Sequence, residues 1–171
     1  MLNPSDSLNL GGLYRRHITM IRQRCRRIMG EHPMVEDIAQ DVFLRYVETY
    51  GAGAPGGVAV PDEADMAGRL LYTMATNRAI NALRDERRRR EILDAERRDD
   101  AHAGAADLAI DVRRLLHALD PELAAVAVYY YVDGMEQDEI AEVTSLHRRT
   151  VSRRLEAFRE GAKKLLAKEA R

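Results

Sequence analysis

Arg148, Arg149, Ser152 and Arg153 recur at the three- and four-residue spacing of one helix face, with Arg154 at its edge. Guanidinium forks pair with the major-groove edge of guanine, and hydroxyls and further arginines hold phosphate oxygens. A helix carrying this set therefore suits a DNA major groove. Phosphate contacts would supply most of the affinity, and a few base contacts the choice of sequence. What precedes the arginines matters as much. Gln137 to Val143 reads as a short helix, Thr144-Ser145-Leu146 as a tight break, and a longer helix starts near Arg148; this is helix-turn-helix spacing. Ile140, Ala141, Leu146, Val151 and Leu155 fall inward, and Ala141 is small enough for two helices to cross closely. For an arginine run alone, a water-facing amphipathic helix is the better reading; the turn and the inward pattern together favour DNA.

Two other helices carry groups of interest. Residues 66–90 turn Tyr72, Thr73, Thr76, Asn77, Ile80, Arg84, Arg87 and Arg88 away from an apolar stripe of Leu70, Leu71, Met74, Ala75, Ala79, Ala82 and Leu83. Aromatic, amide and arginine groups together suit the bases and backbone of an opened strand, although a soluble basic helix explains them equally well. Residues 33–50 place Glu36, Asp37, Gln40, Asp41 and Leu44 opposite a stripe of Val35, Ile38, Val42 and Tyr46. This acidic ridge with an apolar edge could dock a basic partner helix; from spacing alone, an ordinary solvated face is favoured.

The elements that must position these groups are helical throughout. Ala, Leu and Met dominate the apolar residues, with two Phe and no Trp, in a chain of 171 residues that is 46% hydrophobic and 32% charged; such residues suit helices better than sheets. A first helix spans 13–29, with Leu13, His17, Met20, Ile21, Arg24 and Ile28 near one face and Gly30 as its stop. Pro33 fits the first turn of the second. Gly and Pro crowd residues 51–65, which form a loop. Large apolar residues disappear after Leu93, so 95–107 reads as a flexible linker between an N-terminal domain, 1–94, and a C-terminal one, 108–171. There the apolar rhythm returns at Leu108, Val112, Leu115, Leu116 and Leu119, and Asp120-Pro121 marks a helix start with Asp as cap.

The formal net charge of −1 says nothing in favour of nucleic acid, so the distribution of charge decides. One cysteine, Cys25, excludes an internal disulfide. His17, His32, His102, His117 and His147 form no metal-spaced or nucleophile–base pair, and GAGAPGG lacks the ending of a phosphate-binding loop. An enzyme is poorly supported, and no metal or cofactor is expected. With neither a leader pattern nor a membrane-length apolar run, a cytoplasmic protein that does not insert into membranes is expected.

With those residues in view, the chain resembles the extracytoplasmic-function group of bacterial RNA polymerase sigma factors. VEDIAQDVFLRYV resembles the family's region 2.2, LLYTMATNRAINALRDERRR its regions 2.3–2.4, and the stretch from LHALDPELAAVAVYYYVDG through EIAE to TVSRRLEAFREGAKKLL its region 4. The resemblance covers nearly the whole chain, in the family's order and spacing. It implies an all-α protein of two small helical domains, a region 2-like bundle and a region 4-like helix-turn-helix. It places Asp37, Gln40, Asp41, Phe43 and Leu44 where the family holds the clamp helices of the largest subunit of the polymerase core, with Phe43 mainly a core residue. Tyr72, Asn77, Arg78, Asn81 and Arg84 fall where the minus-ten element is recognised and melted. Arg148, Arg149, Thr150, Ser152, Arg153 and Arg154 fall in the helix that reads the upstream, minus-thirty-five element. The loop at 51–65 lies where a flipped base is captured. An anti-sigma factor is the further partner implied, beside core polymerase and promoter DNA.

Several positions depart from the family's pattern. Leu70 stands for a usual Trp, Thr76 for Arg and Asn81 for Asp. Ser145 occupies a turn position that is usually Gly, where a left-handed backbone costs a side-chain-bearing residue something. His147 replaces a Ser cap, and Arg148-Arg149 a common Glu-Gly, so the helix start is more basic and an altered promoter preference or firmer phosphate anchoring is expected. The changes at Leu70 and Thr76 keep open a second function: a DNA-binding regulator with the same fold that no longer binds polymerase.

Overall fold

The computed structural model describes residues 4–51, 64–96, 115–116 and 118–169. Among the described residues the secondary structure is helical and no strand occurs. Two compact units divide the chain, Met1–Ala79 and Ile80–Arg171. The division falls within the third helix. Apart from Ala95 and Glu96, which prolong that helix, the expected linker lies outside the described residues.

In the N-terminal unit, α1 (Pro4–Met29) starts well before the expected residue 13. Pro4 sits in its first turn, where a missing N–H is no loss. Gly30 stops the helix as expected, at φ 71°, with its N–H on the Arg26 carbonyl at 2.7 Å. Helix α2 (Val35–Tyr50) begins two residues beyond Pro33. The Met34 N–H donates to His32 Nδ1 at 3.2 Å, and the Val35 N–H to the His32 carbonyl at 3.1 Å, so a histidine-anchored turn takes the place of the expected first helical turn.

Ile18, Ile21, Cys25 and Ile28 of α1 and Val35, Ile38, Ala39, Val42, Phe43 and Tyr46 of α2 are buried, as are Ala67, Leu71, Ala75 and Ala79 of α3 (Ala64–Glu96). Full burial of one large aliphatic side chain contributes about 1.5–3 kcal/mol, so these three stripes hold the unit together. Phe43 packs edge-on against Tyr14, with centroids 4.9 Å apart. Arg22 and Arg26 of α1 reach Glu36 of α2 at 2.6 and 3.2 Å, a partly exposed cluster that aligns the helices more than it stabilises them.

Helix α3 differs from its expected facing at two positions. Thr76 and Ile80, assigned to the outward side, are buried at 0% and 1% exposure. Their flanks are covered as well as the apolar stripe, and a helix covered on a broad arc buries more than the single stripe that its periodicity displays.

In the C-terminal unit Asp120 caps α4 (Pro121–Ala127) as expected, its carboxylate accepting the Glu122 N–H at 2.8 Å. The helix widens into a π-turn at Val128–Val132, where the Asp133 N–H reaches back five residues to the Val128 carbonyl at 3.1 Å. Gly134, at φ 70°, then reverses the chain. Helices α5 (Gln137–Thr144) and α6 (Arg148–Glu169) follow. Ile140, Val151 and Leu155 are buried with Ala124 to Tyr129 of the preceding segment; α6 packs on α4, and α5 packs on α6 and the π-turn.

Candidate nucleic-acid interface

The geometry between α5 and α6 decides what α6 can present. The Glu136 N–H donates to the Glu139 carboxylate at 2.7 Å, which closes the start of α5. At its end Ser145 takes a left-handed backbone, φ 54° and ψ 33°, and the Leu146 N–H reaches the Ala141 carbonyl at 3.0 Å. This is the reversal that a glycine ordinarily makes, built here on serine. The Thr150 and Val151 N–H groups donate to the His147 carbonyl at 2.8 and 3.2 Å, and α6 is under way. Of the five inward positions, Ile140, Val151 and Leu155 are fully buried, and Ala141 and Leu146 half-buried.

That seating sorts the α6 residues. Arg149, Ser152 and Arg153 are exposed on one face and Thr150 is half-buried beside them. Arg148 is exposed too, but its Nε lies 2.9 Å from Asp138 of α5. Arg154 turns away from the exposed face and pairs with Glu122 of α4. The structure therefore brings together Arg149, Ser152 and Arg153, lends them Arg148 through a solvent-exposed pair that salt weakens, and turns Arg154 off that face onto Glu122 of α4.

On α3, Asn77, Asn81 and Arg84 are exposed and, at spacings of four and three, stand on one ridge. Arg78 and Tyr72 do not share it. Arg78 lies on the α2 side, its Nε 2.5 Å from Asp41. Tyr72, half-buried, lies toward α1, with the Arg24 guanidinium 4.3 Å from its ring centroid.

On α2, Asp37, Gln40 and Leu44 are exposed, Leu44 at 60%. Asp41 is flanked by Arg78 and by Arg45 at 3.1 Å. Burial pushes its carboxyl upward, but the hydrogen bonds and charges of Arg78 and Arg45 outweigh this and hold it below the usual carboxylate range. Phe43 lies at 8% exposure beneath this ridge, not on it.

Two features were not foreseen. Arg24 is 3% exposed and donates to Thr76 Oγ1 at 2.9 Å; an arginine inside the apolar stripe of α1 was the available signal. Tyr131, exposed at 53%, accepts from Arg159 Nε at 2.8 Å and lies 6.1 Å from the Phe158 ring. The run Tyr129-Tyr130-Tyr131 hid it, because successive residues of a helix point in different directions. The loop at 51–65 falls, except for Gly51 and the first residues of α3, outside the described residues. Among the described residues no group of His, Cys, Asp and Glu could hold a metal ion, and no helix is long and apolar enough to cross a membrane.

Residues 109–159 match the family described as sigma-70, region 4. None of the curated proteins matches the chain. Among solved structures, the sigma factor RpoE from Bartonella quintana, crystallised in complex with the anti-sigma factor NepR, is similar at 17% identity and a TM-score of 0.47, over 93% of this chain and 97% of that one.

Proposed function

We propose that this chain, whose residues 109–159 match sigma-70 region 4, works as a sigma factor of the extracytoplasmic-function group. It would be a non-catalytic subunit that directs RNA polymerase core to specific promoters and assists DNA opening. Residues 1–94 would bind core and the minus-ten element, 108–171 the upstream duplex, and 95–107 would link them. The observation that carries the reading is the arginine-bearing face of α6, presented by the left-handed turn at Ser145 within the family-matched segment.

In this mechanism α6 enters the major groove with Arg153 on base edges, Arg149, Ser152 and Thr150 on adjacent phosphates, and Arg148 joining when DNA displaces Asp138. Arg154 supports the helix from behind through Glu122. On α3, Asn77, Asn81 and Arg84 face the opened strand, with Tyr72 and Arg78 at the flanks. Asp37, Gln40, Asp41 and Leu44 meet the basic clamp helices of the polymerase's largest subunit, and Phe43 props the ridge from beneath. Opening is driven by binding of unpaired bases, with no hydrolysis by this chain. An anti-sigma factor, implied by the sequence resemblance, would cover these same surfaces in a cytoplasmic complex.

Mixing purified chain with core polymerase and promoter DNA tests the reading: a stable complex that starts transcription is expected, and failure to bind core refutes it. The engagement of Asp41 by two arginines gives weight to the second reading, a DNA-binding regulator that does not bind core. Asp37→Lys separates the two, because a sigma factor loses core binding, whereas a stand-alone regulator keeps its DNA shift unchanged.

A further inference from the structure

Arg24 stands out as a charged group at 3% exposure in the N-terminal unit. Taking a guanidinium out of water costs several kcal/mol unless partners compensate, and a leucine or methionine could fill the same volume between Ile21 and Ile28. Its surroundings indicate what the arginine adds. Nε donates to Thr76 Oγ1 at 2.9 Å, and Thr76 Oγ1 in turn donates to the Tyr72 carbonyl at 2.9 Å. The guanidinium carbon lies 4.3 Å from the centroid of the Tyr72 ring. One planar group thus meets a hydroxyl with an N–H and an aromatic ring with its charge, in a rigid geometry that a lysine ammonium lacks and with contacts that no apolar residue makes. Thr76 is completely buried and bonded to the same turn of α3, so the guanidinium is set at a fixed height on that helix. Tyr72 is the only aromatic residue of α3 and is itself half-exposed.

We infer that Arg24 is a positioning residue for Tyr72: it holds the ring in one orientation so that an unpaired base can stack on it without first ordering the side chain. This rests on the proposed role of α3 in holding the opened strand. The guanidinium touches no DNA; it acts through the ring. Stacking of one base on an aromatic side chain changes affinity by roughly five- to 150-fold, so Tyr72→Ala should weaken opened-strand binding by an amount in that range. Ordering one side chain is worth about two- to tenfold, and Arg24→Met should lose that smaller factor.

The experiment uses the full chain bound to core polymerase and fork-junction DNAs carrying 2-aminopurine in the unpaired stretch. Arg24→Met is expected to keep its helical melting transition and its affinity for core. It should bind the fork DNA about two- to tenfold more weakly and quench 2-aminopurine less. Arg24→Lys should recover only part of the loss. In a Tyr72→Ala background, Arg24→Met should cost nothing further, a non-additivity that a purely structural role would not produce. If Arg24→Met fails to fold, Thr76→Val, which keeps shape and removes the acceptor, should give a smaller loss in the same direction. An equal penalty for Arg24→Met with and without Tyr72, or a folded Arg24 variant with unchanged fork binding and quenching, overturns the assignment alone. A wild-type complex that binds core and duplex but has no affinity for the unpaired stretch overturns the reading of α3, and this assignment with it.

Discussion

Four arginines crowd the start of α6, yet the structure assigns them unequal work. Arg149 and Arg153 are exposed and four residues apart, about 6 Å along the helix. Arg154 is turned back onto Glu122. Replacing each by alanine should therefore give three different signatures. Where an arginine grips a guanine edge, its loss costs about 1–3 kcal/mol on the cognate site and relaxes specificity at one base pair. Where it holds a phosphate, the loss is nearly the same on any sequence and lowers the slope of log affinity against log salt by about 0.9. Arg153, deeper along α6, should show the first signature and Arg149, at its start, the second. Arg154→Ala removes a cation already neutralised by a carboxylate, so neither the salt slope nor the specificity should move. Its cost is to stability, roughly 0–1 kcal/mol, because Glu122 is largely exposed. Fluorescence anisotropy of the chain–polymerase complex on labelled upstream duplex, titrated between about 50 and 200 mM salt, reads affinity and slope together. These unequal roles are refuted if Arg154→Ala weakens DNA binding as much as Arg153→Ala, or if folded Arg149→Ala and Arg153→Ala both bind as tightly as wild type.

Three further outcomes are expected. Ser145→Gly relieves the left-handed backbone, worth roughly 1–2 kcal/mol, against a glycine entropy cost of about 0.5–1 kcal/mol; the C-terminal unit should gain up to about 1.5 kcal/mol in urea denaturation, and a loss would mean that the serine side chain is needed in the turn. Asp120→Ala removes the cap on the Glu122 N–H and should destabilise the same unit by about 1 kcal/mol, measured by the same denaturation. His17 is buried, and its Nε2 has no hydrogen-bond partner among the described residues. Burial first, and the Arg16 charge second, hold its pKa below 6.5. Below that value the unfolded chain takes up a proton that the folded one resists, so stability should fall as pH drops from about 6.5 toward the lowered folded value, and His17→Leu should flatten this dependence in melting curves recorded at several pH values.

Periodicity and turn chemistry made the helices legible because both are local. Gly30, Asp120-Pro121 and Gly134 each act on their own few bonds, and they stop or start helices where the residues indicate. The left-handed cost at Ser145 could be read from one residue in a recognisable turn, and so could the inward set Ile140, Val151 and Leu155. What no local pattern carried was which charged groups meet each other. Asp41 finds Arg78 thirty-seven residues away, Arg24 finds Thr76 fifty-two away, and Arg154 finds Glu122 thirty-two away. Spacing places each of these on a helix face, but whether that face meets water or another helix depends on how the helices pack. The residue sequence by itself thus determined an all-helical chain with an arginine-bearing helix-turn-helix near its end. Tertiary packing alone decided which arginines remain exposed and which are held by carboxylates, a hydroxyl or a ring. The physical reason is that a side chain's charge is a property of the residue, whereas its partner is a property of the fold.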